Sequence, residues 1–215
     1  MSRTKTTSDL SFYKSRFAPL IYDIISQSMF FFVGGLANMH DHAVSILDIQ
    51  PGMQVLELGC GPGRLTRSLL DAGAQVTAVD QSESMLIRAS KRAEGATFVK
   101  SNLVEFRPNQ RYDRVIWSFV LHELTEEERA ITFKYGMDCL LRGGFACILD
   151  HALPTSGLFR RFYANLIQGL EPETAEAILI DGFGNELSRL SILIKERVSL
   201  GGGTAQLLRI EKQKR

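Results

Sequence analysis

The residues best placed to do chemistry are concentrated in Val55-Leu56-Glu57-Leu58-Gly59-Cys60-Gly61-Pro62-Gly63. A short apolar strand runs into three alternating glycines and then a helix. Glycine belongs in such a turn because a side chain would stop a ligand from lying against the backbone, and because the turn calls for positive φ. The spacing departs from the dinucleotide fingerprint GxGxxG, since Arg64 stands where the third glycine would fall. Glu57, just upstream, would repel a pyrophosphate but suits a cationic sulfonium ligand with an amino group. Glycine-rich turns of this kind also serve packing alone, so the loop needs a second partner. Asp80 supplies it. It ends Val76-Thr77-Ala78-Val79-Asp80, where doubly wound folds place a carboxylate on ribose hydroxyls. A strand-end Asp can also cap the next helix, and the glycine loop upstream favours the ligand.

The four histidines are His40, His42, His122 and His151. His122 follows a strand at the edge where active-site loops gather, which makes it the candidate general base; packing of the loop by His122 and its neighbour Glu123 is the alternative. His151 follows Asp150 and could reach the same cleft. His40 and His42, two apart on a helix, share no face and are expected at the surface. No metal site is expected, because neither HxxxH nor CxxC spacing occurs and the run Glu126-Glu127-Glu128 suits a helix start. Cys60, Cys139 and Cys147 fit reduced thiols in a cytoplasmic protein.

The elements that must position these groups alternate. Met1 to Ser8 is polar, and Asp9 to Gly35 is aromatic-rich and broken at Pro19. Leu36, Met39, Ala43 and Ile46/Leu47 recur at helical spacing before the Pro51-Gly52 turn. Strands are expected at Met53–Leu58, Gln75–Asp80, Thr97–Lys100, Tyr112–Ser118 and Phe145–Asp150. Helices are expected at Arg64–Asp71 and Ser82–Ala93. Another starts at a capping box of Thr125 with Glu128 and runs through about Leu141, closed by Gly143-Gly144. A helical region to about Leu190 precedes a hairpin of Ile192–Leu200 and Thr204–Ile210 around Gly201-Gly202-Gly203.

This order specifies an α/β fold: a Rossmann-like, doubly wound, seven-stranded sheet, mostly parallel with a C-terminal antiparallel hairpin and helices on both faces. At 215 residues, with 45% hydrophobic and 23% charged residues, the chain suits one such domain. Within it, residues 1–48 would form an N-terminal helical lid, 50–150 the cofactor-binding core, and 151–215 the substrate-side helices and hairpin. A net charge of +1 argues against nucleic acid as the main partner.

VLELGCGPG, AVD, YDRVIWSFVLHEL and LLRGGF follow in the order and spacing of class I S-adenosylmethionine-dependent methyltransferases, which the chain resembles from Gln50 to Asp150. The resemblance implies S-adenosylmethionine as cofactor and S-adenosylhomocysteine (SAH) as product. Glu57, Gly59, Cys60, Gly61 and Gly63 would lie under the methionine part. Asp80, with Gln81 and Met85 beyond it, would hold the ribose side. Asn102 and Leu103 would edge the adenine, with Asn where many relatives have Asp, and Ser118 would line the methionine end. Tyr22-Asp23 and Val198 to Ala205 resemble the branch of ubiquinone/menaquinone C-methyltransferases and bacterial phospholipid N-methyltransferases. Ser191 stands where that branch usually has glycine.

A small, apolar acceptor is expected: a quinol, phenol, thiol, amine or lipid head group. Tyr13, His151 and Tyr163 are its candidate neighbours, and Tyr22 would belong to the cofactor's side of the site. Arg160 and Arg161 could meet an anionic head group or, transiently, a membrane surface. A non-catalytic cofactor-binding protein and, less well matched, an NAD(P)-dependent oxidoreductase are the competing readings.

Overall fold

The computed structural model describes residues 35–155 and 182–213, and between them 157, 160, 161, 163, 164, 174, 178 and 179. Tyr13, Tyr22 and the expected lid lie outside the described residues. The elements are α1 (Gly35–Leu47), β1 (Gln54–Leu58), α2 (Arg64–Asp71), β2 (Gln75–Asp80), α3 (Glu83–Arg92), β3 (Thr97–Lys100) and β4 (Tyr112–Ser118). A 3-10 turn (Leu121–Glu123), α4 (Glu126–Asp138), β5 (Leu140–His151), α5 (Gly184–Arg189), β6 (Ile192–Leu200) and β7 (Ala205–Lys212) follow.

The seven strands form one sheet in the order β3-β2-β1-β4-β5-β7-β6. β1 pairs in parallel with both β2 and β4, and β7 runs antiparallel between β5 and β6. The chain winds outward from β1 to β3, then returns to β4 on the other side. The break between β1 and β4 is therefore the topological switch point, where such sheets bind ligands beyond their carboxyl ends.

Alternation along the strands builds a core on each face. Leu56, Val115, Trp117, Ile148 and Leu208 pack with Phe133 of α4 on one side. Val55, Ile116, Cys147 and Leu207 pack with α1 and α2 on the other. The Thr125–Glu128 capping box forms as expected. The free thiols of Cys60, Cys139 and Cys147 are all buried. No helix among the described residues is long and apolar enough to cross a membrane.

Two expectations need correcting. His40 is buried at 6% exposure rather than at the surface, because it shares the inward stripe of α1 with Met39, Ala43 and Leu47. Burial, with Arg64 adding to it, pushes its imidazole down to about 4, so it is neutral at pH 7. His42 is exposed, as expected. The second correction concerns α4, which ends at Asp138 rather than Leu141. Leu140 already pairs with Tyr112, and the ladder shifts before Arg114 meets Phe145. Gly143-Gly144 thus lies inside the long β5 instead of capping a helix.

Gly136 shows how tightly α4 sits on the sheet: a Cβ there would come within 2.5 Å of the Trp117 ring. In an exposed helix Gly→Ala gains about 1 kcal/mol, whereas overpacking a filled core costs about 1–3 kcal/mol. Gly136→Ala is therefore expected to be net destabilising. A lower urea midpoint at unchanged slope would show it, and a raised midpoint would contradict the packing.

Candidate functional site

Three glycines follow β1, all at positive φ: Gly59 at 80°, Gly61 at 49° and Gly63 at 77°. They serve two purposes. A Cβ on Gly59 would strike Val120 at 2.5 Å, and one on Gly63 would strike Ala89 at 2.8 Å, so these two are glycine for close packing. At Gly61 an added Cβ meets nothing within 4 Å among the described residues. That side of the loop is the cradle a ligand can fill.

Asp80 locks the cradle to β2. Its Oδ2 accepts Gly61 N–H at 2.8 Å and its Oδ1 accepts Ser82 N–H at 2.8 Å. The cap of α3 is Ser82, whose hydroxyl accepts Met85 N–H, so Asp80 is not that cap. Burial raises the Asp80 carboxyl above its usual range against the backbone N–H groups of Ser82, Gly61 and Gln81. Three N–H donors leave about one accepting position of the carboxylate for a ribose hydroxyl. The arrangement fits an adenosine cofactor: an open glycine turn at the switch point, with a carboxylate acceptor beside it.

Glu57 is 1% exposed and turned to α2, where Thr66 Oγ1 donates to it at 2.6 Å. Burial pushes its carboxyl up to about 8; the Thr66 hydrogen bond opposes this and Asp80 adds to it. It therefore holds its proton at neutral pH, and a cation placed nearby would draw that proton out. Cys60, Met85, Leu103 and Ser118 are buried, while Gln81 and Asn102 are exposed. Asn102 Oδ1 accepts Val104 N–H at 2.8 Å, which fixes the turn after β3.

The histidine candidates converge beyond β4 and β5. His122, His151 and Tyr163 are each 3–4% exposed. What joins them is Asp150, whose role strand spacing did not reveal. Its Oδ1 accepts His122 Nδ1–H and His151 N–H, each at 2.7 Å. Its Oδ2 accepts Leu121 N–H at 3.0 Å and His122 N–H at 3.3 Å. Burial alone would raise this carboxyl, but the His122 charge and hydrogen bond, with smaller help from His151, hold it below the usual range.

Four N–H donors fill the roughly four accepting positions of a carboxylate. Asp150 is thus ionised, and His122 donates to it from Nδ1. His122, Asp150 and His151 each offer an atom within 4.8 Å of the others, a grouping that could suit a metal. A metal on Asp150 would have to displace one of its four donors, so the geometry favours a hydrogen-bonded hub.

Fold and site together define a class of enzyme. The family described as a methyltransferase domain matches residues 55–144. An uncharacterized methyltransferase of Synechocystis sp. is 29% identical over 91% of this chain and 93% of its own length. Another, YrrT of Bacillus subtilis, is 36% identical over about half of each chain, 45% of this one and 47% of its own. The SAH-bound crystal structure of magnesium protoporphyrin IX methyltransferase from Synechocystis superposes with a TM-score of 0.62 at 25% identity, covering 82% of this chain and 83% of that one. These matches, with the fold and the site, support an S-adenosylmethionine-dependent methyltransferase.

Two variants probe the cradle. Asp80→Ala should weaken SAH binding by about 1.5–3 kcal/mol, the range for hydrogen bonds to a charged group. Gly61→Ala should cost about 1–2 kcal/mol of stability for its left-handed φ and also weaken SAH. Calorimetry showing wild-type SAH affinity in both variants would mean that the cofactor lies elsewhere.

Proposed function

We propose that the enzyme methylates a small apolar acceptor at a group that carries a proton, with His122 as general base and Asp150 as the residue that orients it. The observation that carries this reading is the saturated Asp150 carboxylate. It cannot share a further proton, so it fixes His122 with Nδ1–H inward and Nε2 as the basic atom.

When bound, S-adenosylmethionine supplies a methyl group already activated by its sulfonium. The protein's task is then to align the acceptor and remove its proton. His122 Nε2 takes that proton as the acceptor oxygen, sulfur or nitrogen forms its bond to carbon; the carbon–sulfur electron pair stays on sulfur. Positive charge passes from sulfonium to imidazolium, where the ionised Asp150 stabilises it. Val120, against Gly59, ties the turn that bears His122 to the cofactor loop.

Among the acceptors expected from sequence, this favours quinols, phenols, thiols and amines that bear N–H. Kinship with the quinone and phospholipid branch is part of the same proposal and rests on the sequence resemblance. Arg160 and Arg161 are exposed and suit transient contact with an anionic surface. Buried free thiols agree with a reducing compartment such as the cytoplasm.

Mass spectrometry of the full chain with S-adenosylmethionine and a panel of quinols, phenols, thiols, amines and lipids tests the proposal. Methylation is expected on acceptors that lose a proton, and not on a tertiary amine of matched skeleton. Equal quaternisation of the tertiary amine would remove the need for a base.

A further inference from the structure

We propose that Arg129 is a positioning residue: braced by Glu186, it fixes the turn that carries His122. The inference rests on the reading of His122 as base.

A 3-10 turn as short as Leu121–Glu123 leaves peptide groups at both of its ends without partners inside it. Asp150 meets the N–H end, where it accepts from Leu121 and His122. Two side chains from further along the chain meet the carbonyl end. Thr174 Oγ1 donates to His122 O at 2.5 Å, and Arg129 Nη1 donates to Leu124 O, just past the turn, at 2.5 Å. The turn is thus held from β5 on one side and from α4 on the other.

Arg129 is a costly residue for packing alone. Its guanidinium is buried, and its Nε donates to both carboxylate oxygens of Glu186 on α5, at 2.9 and 3.1 Å. Burial raises the Glu186 carboxyl above its usual range even against the Arg129 charge. A buried ion pair is a weak source of stability, and apolar residues of similar size commonly replace one without loss. α4 and α5 also meet without it: Phe133 and Phe183 lie edge-on at 6.3 Å between centres, and Leu187 is buried in the same core. What the pair adds is direction. With Nε held by Glu186, the planar guanidinium presents Nη1 to Leu124 O.

The links from α5 to the base are then continuous: Glu186 to Arg129, Arg129 to Leu124 O, and the turn to His122. Without Arg129, Leu124 O loses its donor and the carbonyl end of the turn loosens, while Asp150 still holds the N–H end. The hydrogen bond from His122 Nδ1 to Asp150 feels this directly, because its 2.7 Å geometry depends on the backbone between the two ends.

The test is hydrogen exchange at the histidine rings, read by nitrogen NMR of the full chain with labelled histidine and SAH present. In the wild type, Asp150 should protect the His122 Nδ1–H. The double variant Arg129→Met, Glu186→Leu removes the pair without leaving a buried charge, and should shift Tm by no more than about 5 °C. It should nevertheless speed exchange of the His122 Nδ1–H at least about tenfold, as local opening does. Arg189→Met breaks only the exposed pair of Arg189 with Glu126, between the same two helices, and should leave that exchange unchanged. His40, in the core on the opposite face of the sheet, reports any general loosening and should not respond in either variant.

Should the double variant not fold, Arg129→Lys serves. It keeps a charge beside Glu186, but one ammonium cannot span Glu186 and Leu124 O as the guanidinium does, so the same acceleration is expected. Unchanged His122 exchange in a folded variant would overturn the inference and leave the base reading standing. Equal acceleration at His40, or an equal effect of Arg189→Met, would also overturn it. A wild-type His122 without hydrogen on Nδ1 would overturn the base reading, and the inference with it.

Discussion

One buried carboxylate holds the reactive end of this molecule together. Asp150 is fully enclosed, and its charge is tolerated because four N–H groups converge on it. Leaving such a charge without partners would cost several kcal/mol. The turn after β4 and the end of β5 are therefore held in one relative position. Phe119, which joins β4 to that turn, sits at a φ of 47°, and its N–H donates to Leu149 O at 2.8 Å. A non-glycine residue in the left-handed region costs free energy. Here it turns the chain sharply enough to bring His122 back over β5.

The cofactor loop is fixed to the same frame. Val120 fills the space beside Gly59, two residues before His122, and Asp80 clamps Gly61 from β2. The cradle and the turn that bears His122 thus follow neighbouring strands, with Val120 between them. Sites carried on such rigid elements hold their geometry better than sites on loops.

Much of this frame was legible in the sequence because the signals were local. The strands up to β4 were marked by apolar runs, α4 by its capping box, and the cradle by glycines that all took positive φ. What escaped depended on contacts distant along the chain. His122 and Asp150 are 28 residues apart, and only the pairing of β4 with β5 brings them together. The early start of β5 has the same origin: Leu140 joins the sheet through Tyr112, while the nearby glycines, read locally, suggested a helix end. His40 was misplaced because pair spacing on a helix does not say which face is buried. Glu57 was read as suiting a cationic ligand, and the structure adds a contact that spacing did not show, with one of its oxygens accepting from Thr66.

The account stands on His122 acting as a base, and the most direct test is the pH dependence of single-turnover methyl transfer in His122→Gln. On the best protic acceptor, the variant should be slower at neutral pH by about 10²–10⁴-fold, the usual worth of a positioned base. The deficit should shrink as alkaline pH ionises the acceptor without help. A variant that matches wild type at neutral pH, or one whose deficit is the same at every pH, would contradict it.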